Sequence, residues 1–267
     1  MIGMDEVASE IDSLIKLQVY NQQRKAEGLT PQTTTNHLVL SGNPGTGKST
    51  VAEEIAKLYN GLGILPTDKV AKTDAGQLIG QYVNQIEQNV TAEFKKAKGG
   101  VMFVDEAYQL ADSQEGRRAA TQLMKLMEEN KDDTVLIVAG YPGEMDRFLK
   151  INPGFPSRFA RTINFPDYTP KENAQILTKY MNDEQDYATK DAAKLMMGGV
   201  KVLTTRGQNA REMRKFHDKL KFARASRLAG QPANKRALQE FNGDDVKIAL
   251  SSMGVVPAGS GKLVKQK

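Results

Sequence analysis

Cysteine is absent from all 267 residues. That excludes a disulfide framework and any thiolate metal site, and it fits a reducing compartment. No apolar run approaches the length of a membrane span, and the start, Met1-Ile2-Gly3-Met4-Asp5-Glu6, lacks the basic and apolar regions of a signal peptide. The expectation is a soluble, cytoplasmic protein with no membrane partner. No internal repeat is present. Net charge is also small, at +5, but it is unevenly placed: residues 201 to 240 hold eleven Lys or Arg against three acids. The basic helix within this stretch, Arg211 to Arg227, reads as a solvated face, with nucleic acid or an acidic partner surface as the alternatives.

Glycine supplies the most informative pattern. Gly42, Asn43, Pro44, Gly45, Thr46, Gly47, Lys48 and Ser49 fit the phosphate-binding loop G-x-x-x-x-G-K-[S/T]. An apolar run, His37 to Ser41, precedes it as a strand. Helically spaced apolar residues follow from Thr50, which is counted with the nucleotide-binding set. Glycines let backbone N–H groups close around phosphate oxygens, the helix start adds partial positive charge, and Lys48 reaches the β and γ phosphates. Ser49 then holds Mg2+ through its hydroxyl. ATP and Mg2+ are the expected ligands.

Four further strand-like runs follow: Lys69 to Lys72, Gly100 to Val104, Thr134 to Ala139 and Arg161 to Phe165. Two of them are almost wholly apolar, as strands covered on both faces should be, and helical patterns separate them. The fold class is therefore α/β, with a parallel sheet of the phosphate-loop NTPase type. After Tyr168 the pattern turns helical, over roughly 171 to 182, 188 to 197, 207 to 229 and 242 to 250. Three segments are expected: an ATP-binding α/β domain over 1–167, a small all-α lid over 168–254, and a tail without structure over 255–267.

The run Val101-Met102-Phe103-Val104 ends in Asp105 and Glu106. This suits the acidic partner motif of a phosphate-loop ATPase, with Asp105 on the metal and Glu106 deprotonating the attacking water. The bland alternative is a helix N-cap and its neighbour.

Together with Gly99 to Tyr108, Ala139-Gly140-Tyr141-Pro142, Asn152 to Phe159 and Asn209-Ala210-Arg211, these residues make the chain resemble the AAA+ ATPases. Within them it is similar to the CbbX/SpoVK-like group, which includes red-type rubisco activases and the EccA ATPases of mycobacterial secretion. The resemblance spans residues 2 to 253 and implies a homo-oligomeric, hexameric ring that remodels or threads a protein partner. It makes Arg158 the arginine finger reaching a neighbouring subunit's γ phosphate, and Arg211 the lid arginine that senses the same phosphate from its own chain. Tyr82 and Val83 resemble the first pore loop, and Arg117-Arg118 stand where the family has Gln-Glu in the second. Tyr141 stands where many AAA+ proteins place Asn or Thr.

Two readings compete with a protein remodeller. A nucleic-acid motor or loader would use the basic lid helix and Arg117-Arg118 on phosphates; an ATP-gated scaffold would assemble with nucleotide and hydrolyse negligibly. Metabolite kinases share the phosphate loop but not the finger loop, helical lid and Arg211 together.

Overall fold

The computed structural model describes residues 2–32, 35–80, 85–159, 161–257 and 263–265. The chain divides into two compact units, Met4–Asn43 with Gly47–Pro166, and Met1–Gly3 with Pro44–Thr46 and Asp167–Lys267.

The first unit runs α1 (Asp5–Ala26), β1 (Leu38–Gly42), α2 (Lys48–Gly61), β2 (Val70–Asp74), α3 (Ala75–Ile79), α4 (Ile86–Lys96), β3 (Val101–Asp105), a 3-10 turn (Ala107–Ala111), α5 (Gln114–Glu129), β4 (Val135–Gly140), α6 (Pro142–Leu149), α7 (Phe155–Arg158) and β5 (Arg161–Phe165). Its five strands form one parallel sheet in the order β2-β3-β4-β1-β5. β1, β4 and the first four residues of β3 are buried along their length because helices cover both faces. Val39, Met102, Val104, Leu136 and Val138 pack with Ile86, Val90 and Phe94 of α4 and Leu123 and Met127 of α5. Parallel pairing sets the carboxyl ends of the strands at one edge, with Ser41 beside Gly140 and Asp74 beside Asp105. Ligands of open α/β sheets collect at that edge.

At the opposite end of β1, His37 is buried, and its Nδ1 accepts the Leu136 amide at 2.9 Å. Burial pushes its imidazole down to about 4, against smaller upward effects from the Met127 carbonyl and Glu128. A folded pKa below the unfolded 6.5 means that the unfolded chain takes up the proton first. The stabilisation is therefore complete above pH 6.5 and is lost as pH falls toward 4, by about 3 kcal/mol in all. His37→Gln retains an acceptor but not the proton site. Its melting temperature should fall less steeply than the wild type's between pH 6.5 and 4.5, and coincident slopes would refute the assignment.

The second unit holds α8 (Pro170–Asp183), β6 (Tyr187–Ala188), α9 (Lys190–Thr204), α10 (Asn209–Leu228), α11 (Lys235–Gln239), β7 (Glu240–Phe241), α12 (Gly243–Ser252), β8 (Val255–Pro257) and β9 (Leu263–Lys265). It is helical as expected, with details that differ from the sequence pattern. α9 continues seven residues past 197, through Gly198-Gly199, because Gly199 admits Leu250 of α12 where a Cβ would collide with it. β6 and β7 make a two-residue parallel pair. The tail expected to lack structure carries the antiparallel pair β8–β9, where Leu263 rests against Gly198.

The basic helix is not simply a solvated face. Arg224 binds Asp186 at 2.6 Å, Arg227 binds Asp245 at 2.9 Å, Lys221 binds Glu184 at 2.9 Å, and Arg206, just before the helix, binds the buried Glu212 at 2.7 Å. Among the described residues, no helix is long and apolar enough to cross a membrane.

Candidate active site

β1 delivers the chain into the glycine loop at Gly42. The loop ends at Gly47, which caps α2 in the left-handed region at φ 94°, and no side chain caps the helix. The helix dipole makes that end an anion site. Lys48 opens α2 and its Nζ donates to the carbonyls of Gly42 at 2.6 Å and Asn43 at 2.9 Å, so the ammonium is folded over the loop. Ser49 and Thr50 follow in the same turn. This donor set fits a polyphosphate.

Asp105 closes β3, and its Oδ1 accepts the Glu106 amide at 3.0 Å. Glu106 leaves the strand in the left-handed region at φ 50°, with an exposed carboxylate. Both acids stand at the carboxyl edge of the sheet, the edge at which β1 ends in Gly42. Asp105 and Ser49 are among the side-chain oxygens at that edge, of the kind a hard divalent cation takes.

β4 ends in Ala139-Gly140, and Tyr141 caps α6. A Cβ at Gly140 would lie 2.8 Å from the Tyr108 ring and 2.6 Å from Met145 Sδ. The absent side chain lets Tyr108 cross the strand end, where its ring lies 5.4 Å from that of Tyr141. The Ala-Gly-Tyr segment therefore has a packing reason: it joins the turn after Glu106 to the end of β4.

Arg158 ends α7, whose Phe155 is buried between Phe148 and Phe159 at ring distances of 5.0 and 6.0 Å. Its Nε donates to Glu128 Oε2 at 3.2 Å, its Nη1 donates to the Gly154 carbonyl at 3.0 Å, and its own carbonyl accepts from Thr35 at 2.7 Å. The side chain remains one-third exposed.

In the helical unit, Asn209 takes the left-handed conformation at φ 51°. Its Nδ2 donates to Asp167 Oδ1 at 2.8 Å and to the Pro44 carbonyl at 3.2 Å, while its Oδ1 accepts the Tyr168 amide at 2.8 Å. The Ala210 amide donates to the Gly45 carbonyl at 3.2 Å, and the Tyr168 hydroxyl donates to the Thr46 carbonyl at 3.1 Å. Pro44 and Gly45 are thereby bonded to the first turn of α10, next to Arg211, and Thr46 to Tyr168. Arg211 is exposed, and its side chain has no hydrogen bond or ion pair among the described residues, unlike Arg206, Arg224 and Arg227. Tyr82 and Val83 lie outside the described residues.

The sequence pattern did not point to Gln109, Glu128, Thr35 or Tyr168. Gln109 alone had a local signal, since the third residue of a 3-10 turn eclipses the residue that precedes the turn.

The model of the ATPase family associated with various cellular activities (AAA) matches residues 38–167, and that of the AAA lid domain matches residues 169–254. Protein CbbX of Cereibacter sphaeroides is 34% identical over 256 residues, covering 92% of this chain and 83% of its own. This chain is an AAA+ ATPase. The ATPase binds nucleotide and hydrolyses ATP. The chloroplastic ribulose bisphosphate carboxylase/oxygenase activase of Cyanidioschyzon merolae is also 34% identical, over 241 residues that cover 88% of the ATPase and 82% of that relative. Among solved structures, the FIGL-1 AAA domain in complex with ADP shares the fold with a TM-score of 0.64 at 17% identity, covering 94% of the ATPase and 82% of that chain.

Proposed function

We propose that this ATPase works as a homo-oligomeric, hexameric ring, coupling ATP hydrolysis in residues 1–167 and a lid over 168–254 to the remodelling or threading of a protein partner. The observation that carries the hydrolytic part is the shared sheet edge, where the α2 start and Lys48 at the end of β1 face the same side as Asp105 and Glu106 at the end of β3. In this reading Gly42 to Thr50 hold the phosphates, and Ser49 and Asp105 hold Mg2+. Bound Mg2+ would neutralise charge on the β and γ phosphate oxygens. Glu106 accepts the proton of the attacking water. Arg158 serves the γ phosphate of a neighbouring subunit, and Arg211 serves that of its own chain. Tyr82 and Val83 grip the polypeptide. A protein partner is favoured because a relative at this identity carries, in its name, an activation of another enzyme.

The alternative of a nucleic-acid motor or loader is weaker, because four basic residues of the lid, Arg206, Lys221, Arg224 and Arg227, are engaged by Glu212, Glu184, Asp186 and Asp245, and Arg118 is engaged by Glu87. Two measurements test the proposal together. Turnover per protomer should rise with protein concentration as subunits meet, and added single-stranded DNA or RNA should leave it unchanged. A turnover independent of concentration refutes the ring, and stimulation by nucleic acid that declines steeply with salt refutes the protein partner.

A further inference from the structure

We infer that Gln109 is a positioning residue for hydrolysis, aligning the carboxylate of Glu106; the inference rests on the reading of Glu106 as the group that activates water. Glu106 is one of three non-glycine residues at positive φ among those described. A left-handed glutamate persists only where its surroundings over-determine it, and such residues cluster at reacting centres. Gln109 supplies two of the restraints. Its backbone amide donates to the Glu106 carbonyl at 3.0 Å, and its side-chain Nε2 donates to Glu106 Oε2 at 2.6 Å. The third restraint is the bond from the Glu106 amide to Asp105 Oδ1 at 3.0 Å, which ties the turn to the proposed metal ligand.

The turn that carries Gln109 cannot drift. Ala107 and Leu110 are fully buried in the core, and Tyr108, which directly precedes Gln109, sits across Gly140 against Tyr141. The end of β4, which offers no Asn or Thr, is thus linked through Tyr141, Tyr108 and Gln109 to the carboxylate at the end of β3. With Oε2 held by the amide, Oε1 remains to receive the water proton. A freely rotating carboxylate would reach that orientation in only a fraction of its conformers, and small misplacements of a catalytic group carry large rate penalties.

The test is ATP turnover by Gln109→Met, which keeps the side-chain length and removes the amide. The expected result is a kcat lower by about tenfold, with KM for ATP and the Kd of a fluorescent ATP analogue within about twofold of wild type. In single-turnover measurements on the Glu106→Gln protein, adding Gln109→Met should lower the rate no further, because the amide acts through the carboxylate. A wild-type or raised kcat in Gln109→Met overturns the inference. So does a further loss in the Glu106→Gln background, or a loss of nucleotide affinity as large as the loss of kcat. Failure of the underlying reading is distinguishable, since it appears as wild-type turnover in Glu106→Gln itself.

Discussion

Glu106→Gln should lower ATP turnover by about a thousandfold, equivalent to about 4 kcal/mol of barrier, and leave ATP bound. The amide matches the carboxylate in shape but cannot accept a proton from water. Nothing the phosphates would touch is altered: the α2 start, the Lys48 ammonium over Gly42 and Asn43, and the Asp105 carboxylate are separate groups. Phosphate release in steady state reads the loss, and equilibrium binding of labelled ATP reads the retention. An unchanged turnover would mean that this carboxylate takes no part in hydrolysis. Loss of ATP binding would mean that it holds nucleotide rather than water.

Arg158→Ala should be nearly as severe in turnover and almost silent in stability, and that contrast separates a finger from a structural arginine. An arginine reaching a neighbour's γ phosphate contributes about 10³-fold or more. The contacts Arg158 makes in its own chain are modest: one pair with the exposed Glu128 and one bond to the Gly154 carbonyl, from a side chain one-third exposed. A pair of that exposure contributes at most about 1 kcal/mol, so the melting temperature should move by only a few degrees. The Thr35 bond is to the Arg158 backbone and survives the substitution. Calorimetry and phosphate release on the same sample decide it. A large fall in melting temperature with proportionate loss of turnover would assign Arg158 to the fold.

Much of this was legible in the chain because the decisive signals are local. The glycine loop lies between an apolar run and a helical pattern, and Asp105 and Glu106 close another apolar run, so the parallel α/β class and the pairing of the two motifs followed from spacing, whereas the strand order did not. Contacts between distant residues were not legible. Gly198-Gly199 reads as the end of a helix until Leu250 is seen filling the space beside it. The charges on α10 read as solvated because Asp186, Glu184 and Asp245 sit on other elements. β8 and β9 are short, and each forms only by pairing with the other. The conformation of Asn209 and its bond to Pro44 depend on a loop far earlier in the chain. The resemblance pointed to Asn209-Ala210-Arg211; the bonds supply a physical reason for that segment.

The central claim is that one subunit's Glu106 works with another subunit's Arg158. Mixing purified Glu106→Gln protein with purified Arg158→Ala protein tests it directly, since each should be inactive alone, while the first keeps Arg158 and the second keeps Glu106. With subunits free to exchange, the mixture should recover ATP turnover well above either parent, peaking near equal proportions. A mixture that stays at the level of its parents at every ratio, although the two proteins demonstrably co-assemble, would contradict it.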